Sequence, residues 1–515
     1  MLRSLLSSDG RALAACLLLG FLVRLVPEVL AFPLPIGSDT IHYAVVMESG
    51  VVFAHWSQFF TSSWLFYALT VPVYSVLQGD PFLLLKVAAP LLFGLNVAGV
   101  YWFSRKMLGW SVLMGVFAGA FFAFQLATLR ISWDLLRNTL GLGILLFALA
   151  YVKDVGSRRG FAVFAVLSLL SVFAHDYAAV TLLVVVFGLV VWRLVKRQLD
   201  SVSKRLVLAS LPALAVFVVG LGLRFFPVRY VTETNVISAG DSVTGNVAGM
   251  FFMVDYLKVQ TSVDSYANYW MLALNVALLF AVLFLPYLFL VVKGFFRNGV
   301  LDLWTGLLVV GAFGCLIVPV FALQYWYRWM FMLAYPFTFY AVKGFGKLYG
   351  KLHKGKTRLY SRFLSKMPAL MVLLTFGFGI AYLASPLLWT YADTSLPTET
   401  CTYSYFSSAP NVPYEDVEGV VDALDWLDGN MAESSAVILQ HAFLSWGKLR
   451  LDSSHEIVNF VSSVDQAVST ASANGFDRVF FVWWRQSIGW YGVSVPDYFV
   501  RVQDFGRISI FAYEV

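Results

Sequence analysis

Charge is what this chain has least of: 13% of its 515 residues are Asp, Glu, Lys or Arg, against 59% hydrophobic and 17% aromatic. Such a balance excludes a disordered polymer and an ordinary water-soluble enzyme. Cysteine is almost as scarce. Of the three, Cys16 and Cys315 fall inside apolar runs and Cys401 stands alone beyond the last run, so no disulfide framework is available. A glycine-rich phosphate cradle is missing, which argues against direct use of a nucleotide-activated substrate. Internal repeats, low-complexity tracts and Asn-x-Ser/Thr acceptors are absent as well. The first apolar run is not followed by a small-residue cleavage site, and is expected to stay in the bilayer.

What the chain has instead is a series of apolar stretches of roughly 17–25 residues, the length that crosses a bilayer. About eleven spans are expected, near 12–32, 82–104, 111–129, 139–152, 160–174, 178–192, 206–222, 270–292, 301–321, 329–343 and 368–390. With the N-terminus inside, the cytoplasmic segments carry 22 Lys and Arg. The opposite loops before the C-terminal tail hold six: Arg130, Arg137, Arg224, Arg229, Lys258 and Arg328. This asymmetry sets the orientation, and it explains the net charge of +6 and pI near 9.0 without nucleic acid. The apolar stretch 62–77 contains Pro72, and counting it as a span would invert every later loop. It is expected to lie at the outer interface or to re-enter, making 33–81 one large external loop.

Beyond residue 390 the character changes. The tail 391–515 holds 6 Lys and Arg against 16 Asp and Glu, while the preceding chain holds 30 against 14. The short β-rich runs "AVILQ", "EIVNF" and "RVFFVWW" alternate with helical stretches near 415–428 and 463–474, and the end reads as a hairpin turning at Phe505-Gly506. The expected architecture is an α-helical polytopic membrane domain, 1–390, followed by a soluble extracytoplasmic α/β domain, 391–515.

Charge near a bilayer is costly, so the side on which it gathers is informative. It gathers outside. Asp39 and His42 lie in "PIGSDTIHYA"; Asp134 and Arg137 in "LRISWDLLRN"; His175 and Asp176 in "FAHDYA"; Arg328 in "QYWYRWM". Asp39 can cap a helix beginning at Thr40, or act as a general base or a metal ligand. Asp134 and Arg137, three apart, are expected to pair. His42, Asp134, His175 and Asp176 are candidates for an acceptor or a divalent-metal site, although no tight ligand spacing links them. Arg328, among aromatic residues, either snorkels to lipid phosphates or holds the phosphate of a substrate. Arg24 and Glu28 are expected to pair inside the bundle.

The order of these parts resembles the GT-C superfamily of membrane glycosyltransferases, and in particular archaeal-type members similar to protein mannosyltransferases and oligosaccharyltransferase catalytic subunits. In that family the first external loop carries an essential aspartate, and the matching position here is Asp39 in "PIGSDTIHYA". The resemblance implies a sugar donor on polyprenyl (dolichyl) phosphate, with Arg137 and Arg328 in places compatible with binding its phosphate. Two departures stand out. Protein mannosyltransferases commonly have Asp-Glu where this chain has Asp39-Thr40, and the oligosaccharyltransferase Trp-Trp-Asp-Tyr-Gly motif has only "VWWRQSIGWYG" as its nearest match, with Arg485 in place of the aspartate. Trp483 and Trp484 therefore read as parts of a core strand.

The implied reaction is inverting transfer to a glycan, lipid or protein acceptor at the extracytoplasmic face of the cell membrane, with Asp39 as catalytic base. The cofactor stays open, a divalent metal such as Mg or Mn included. A transporter or flippase of lipid-linked saccharides, or a non-catalytic assembly subunit, are the competing classes; the former predicts a polar site at the midplane, which the sequence does not display.

Overall fold

The computed structural model describes residues 8–225, 266–317, 326–352, 359–388, 406, 409–432, 434–460, 463–484 and 495–514. The expected boundary at 390/391, Cys401 and Arg485 lie outside them. The chain is a multi-pass helical membrane protein with a C-terminal sheet domain. Helix α1 (Asp9–Leu30) begins where the Ser8 hydroxyl accepts from the Arg11 amide. Three helices follow before the next span: α2 (Ser38–Ser49), α3 (Gln58–Thr61) and α4 (Leu65–Leu77). Asp80 then caps α5 (Pro81–Lys106) by accepting from the Phe82 amide. The bundle continues through α6 (Val112–Ala123), α7 (Leu126–Asp134), α8 (Leu136–Tyr151), α9 (Arg158–Ala174), α10 (Asp176–Val195) and α11 (Ser201–Phe225). It is completed by α12 (Tyr266–Phe284), α13 (Leu288–Gly294), α14 (Gly299–Ile317), α15 (Trp326–Met332), α16 (Ala334–Leu352) and α17 (Leu359–Ala384).

Among the described residues, six helices are long and apolar enough to cross a membrane, and eight spans result if each of two bent pairs counts as one. The pairs are α6 with α7, bent by 64°, and α12 with α13, bent by 78°. The eleven expected spans are thus not reached by length and composition. Those expected near 139–152, 160–174 and 329–343 are helices α8, α9 and α16, which do not meet that measure. The stretch 62–77 is the short helix α4, with Leu69, Val73, Val76 and Leu77 exposed along one stripe, a pattern that suits lying along a membrane.

Helices α1 and α5 cross closely. A Cβ at Gly20 would fall 2.8 Å from the Gly94 Cα, so this crossing requires small residues. Bends inside a bilayer free backbone groups, which must then find partners. At the α6–α7 bend the Thr128 hydroxyl lies 2.7 Å from the Phe122 carbonyl and 2.9 Å from that of Gln125, while the Gln125 amide donates to Thr338 at 2.7 Å and accepts from the Tyr287 hydroxyl at 2.6 Å.

In the C-terminal domain, α18 (Tyr414–Asn430), α19 (His441–Arg450) and α20 (Val464–Ala473) pack on a five-stranded sheet of β1 (Ser435–Gln440), β2 (Glu456–Phe460), β3 (Arg478–Trp484), β4 (Val500–Phe505) and β5 (Ile508–Glu514), in the order β2-β1-β3-β5-β4. Strands β2, β1 and β3 run parallel; β5 and β4 are antiparallel and turn through Gly506 at φ +60°. The expected strands and hairpin are therefore present, and Trp484 is a buried strand residue whose indole donates to Asp416 at 3.0 Å. This domain sits on the connection between α1 and α5. Ile41 of α2 is buried in the same core as Phe443, Leu444 and Trp446 of α19, and Phe82 meets Trp446 with ring centroids 5.9 Å apart.

Candidate functional site

Two chain segments meet at one end of the bundle, the start of α2 and the junction of α7 with α8. Helix α2 begins at Ser38, after Gly37 in a left-handed conformation (φ +88°, ψ 148°), and no side chain caps it. The expected capping role of Asp39 is therefore corrected: Asp39 lies inside the first turn, where its charge faces the positive end of the helix dipole. Ser38 turns away to donate to the Asp134 carboxylate at 3.2 Å. The approach is close enough that a Cβ on Gly37 would fall 2.3 Å from that of Asp134.

The expected Asp134–Arg137 pair is not formed. Arg130 takes both oxygens of Asp134, at 2.5 and 3.3 Å, from four residues earlier on α7. The helix breaks at Leu135 (φ −89°, ψ 53°), so Arg137 starts a new helix and leaves the face that Asp134 occupies. Its guanidinium lies over two rings instead, 5.8 Å from the centroid of Tyr43 and 5.6 Å from that of Tyr67. No carboxylate forms an ion pair with it among the described residues, and its Nε–H has no acceptor there. Tyr43 is fixed in turn, its hydroxyl donating to the Asp134 carbonyl at 3.0 Å.

Asp39 is half-buried beside this group. Its carboxyl is pushed above the ordinary carboxylate range by burial first and by the Asp134 charge second, against the pull of Arg328, Arg137 and Arg130. Three guanidiniums thus act on Asp39, and one of them, Arg130, forms an ion pair with Asp134. Arg328, on the short helix α15, acts electrostatically on Asp39.

His42 lies one turn further along α2. It is open to water yet encircled by protein, as a residue lining a cleft would be, and burial with the charges of Arg137 and Lys448 pushes it down to about 4. Lys448 belongs to α19, so the C-terminal domain contributes charge here. His175 and Asp176 lie at the start of α10, next to Ala174, which packs in one cluster with Tyr43 and Tyr67. His175 caps α10, its Nδ1 accepting from the Tyr177 amide at 3.2 Å.

The possibility of a metal finds little support in the donor set. Asp134 has both oxygens on Arg130, three cations surround Asp39, and no three His, Cys, Asp or Glu side chains converge among the described residues. The groups that sequence reasoning missed are Arg130 as the partner of Asp134, Tyr43 and Tyr67 as the seat of Arg137, and Lys448. Only the i, i+4 spacing of Arg130 and Asp134 was a readable signal.

No family model matches the sequence, and neither does any curated protein. Among solved structures the chain is similar to ArnT from Cupriavidus metallidurans in the apo state, with a TM-score of 0.46 and 11% identity over 97% of each chain. It is also similar to the arabinofuranosyltransferase AftD from Mycobacteria, with a TM-score of 0.49 and 11% identity over 98% of this chain and 40% of that one.

Proposed function

We propose that the protein transfers a sugar from a polyprenyl phosphate to an acceptor hydroxyl at the extracytoplasmic face of the cell membrane, with inversion. One observation carries this reading: a carboxylate of raised proton affinity, Asp39, lies within the field of two arginines, Arg137 and Arg328, while the third, Arg130, is committed to Asp134. In the reaction the acceptor oxygen attacks the anomeric carbon as the bond from that carbon to the phosphate oxygen breaks. The acceptor proton passes to Asp39, and the electron pair leaves with the lipid phosphate. Phosphate departs readily once its charge is neutralised, so cations on the donor and a base on the acceptor suffice. The positive field that the arginines set up at Asp39 suits that leaving group, and the planar fork of Arg137 suits two of its oxygens. The N-terminus is assigned to the cytoplasm and the C-terminal domain to the outside, following the distribution of Lys and Arg.

The test is purified protein in lipid nanodiscs, offered a panel of dolichyl- and undecaprenyl-phosphate sugars with a mixture of glycan, lipid and peptide hydroxyl acceptors. Transfer of labelled sugar from at least one donor supports the reading. Movement of intact lipid-linked sugar across sealed vesicles without transfer would replace it with a flippase.

A further inference from the structure

We propose that Arg24, Glu28 and Lys86 form a positioning network that holds the Asp39 and Asp134 segments in register. The inference rests on the reading of Asp39 as the base. All three groups are buried within the outer half of the bundle, at 0%, 5% and 7% exposure. The Glu28 carboxylate is shared: one oxygen meets Arg24 Nη2 at 2.8 Å, the other Lys86 Nζ at 3.1 Å. Two cations on one carboxylate leave an excess positive charge that a bilayer-embedded bundle tolerates only if dipoles answer it.

The remaining donors show what answers it. Lys86 Nζ donates to the carbonyls of Leu34 at 2.7 Å and Glu28 at 3.3 Å. Arg24 donates through Nε to the carbonyl of Ser132 at 3.2 Å and through Nη2 to that of Trp133 at 3.5 Å. Ser132 and Trp133 are the two residues before Asp134, at the negative end of α7, and Leu34 is in the short connection that leads into Asp39. One carboxylate therefore grips, through two cations, the backbone on either side of the place where Gly37 and Asp134 touch.

This arrangement asks more of Lys86 than stability. A bundle needing only a neutral pair would have it in Arg24 and Glu28 alone. Lys86 adds the tie to Leu34, and with it the placement of the segment carrying Asp39. Small displacements of a reacting group cost rate more than binding, so the effect should fall on turnover.

The informative variant is Lys86→Met, which keeps the stem volume and leaves Arg24 and Glu28 as a neutral pair, so the fold should persist. Hydrogen exchange of full-length protein in nanodiscs should show the amides of residues 34–40 exchanging at least about 10-fold faster while the cytoplasmic helix ends stay unchanged. With the dolichyl- or undecaprenyl-phosphate sugar that the wild type turns over, kcat should fall about 10- to 100-fold with donor KM within about 3-fold. Lys86→Arg should recover most of it. In a cycle with Asp39→Asn, Lys86→Met should add almost nothing, because a residue acting through Asp39 has nothing left to act on. The same fold-loss from Lys86→Met in both backgrounds, or unchanged exchange at 34–40, would overturn the inference and leave the reading of Asp39 intact. Normal turnover of Asp39→Asn alone would instead count against that reading, and the inference would fall with it.

Discussion

Arg130 and Asp134 form a two-pronged ion pair across one turn of helix α7, and both charges act on Asp39. Both side chains are almost wholly buried, so removing Arg130 takes the counter-charge from the Asp134 carboxylate and leaves it the Ser38 hydroxyl. Arg130→Met should therefore destabilise the protein by about 3–5 kcal/mol. Thermal unfolding in nanodiscs reads this directly, and a loss below about 1 kcal/mol would mean that Asp134 finds another partner.

The raised proton affinity of Asp39 has a stability consequence of definite sign. A carboxyl whose folded-state value lies above its unfolded one stabilises the fold fully at pH below the unfolded value, and that stability is lost as pH rises through the folded value. At neutral pH the ionised group is thus a burden that Asp39→Asn removes. The variant should melt higher than wild type at pH 7, by about 2 °C or more, and the difference should close toward pH 4.

The same shift fixes the pH dependence of turnover. A base acts only when ionised, so the acid limb of kcat/KM should have its midpoint above the ordinary carboxylate range. A limb within that range would show that Asp39 does not titrate in the buried setting described.

Gly37 is where the two segments touch. Its backbone lies at φ +88° and ψ 148°, a region open essentially to glycine, and a Cβ would fall 2.3 Å from the Asp134 Cβ. Gly37→Ala should cost about 3 kcal/mol or more and abolish turnover, measured by unfolding and by transfer on the folded fraction.

The sequence carried more of this than its low charge suggested, but unevenly. Local relations were legible: the Arg24–Glu28 pair at i, i+4, the strands and hairpin of the tail, and the collection of polar groups at one end of the spans. Long-range relations were not. Lys86 reaches Glu28 from 58 residues away, and no periodicity foretells it. The break at Leu135, which sends Arg137 to Tyr43 and Tyr67, has neither Gly nor Pro to announce it. The wrong cap for α2 has a related cause: Ser38 and Asp39 have the chemistry of a cap, and only the nearness of Asp134 draws Ser38 away. Among the described residues, length and composition alone reach eight spans and not eleven, and α8, one of the helices below that measure, is packed between neighbours.

The most direct measurement is the single-turnover rate of sugar transfer by Asp39→Asn, set beside wild type at pH 7 with the folded fraction of each determined. Asparagine keeps the shape of the side chain and removes the basic oxygen. The account predicts a folded protein, bound to donor as wild type is, whose rate is lower by about two to four orders of magnitude. A folded Asp39→Asn protein transferring at near the wild-type rate would contradict it.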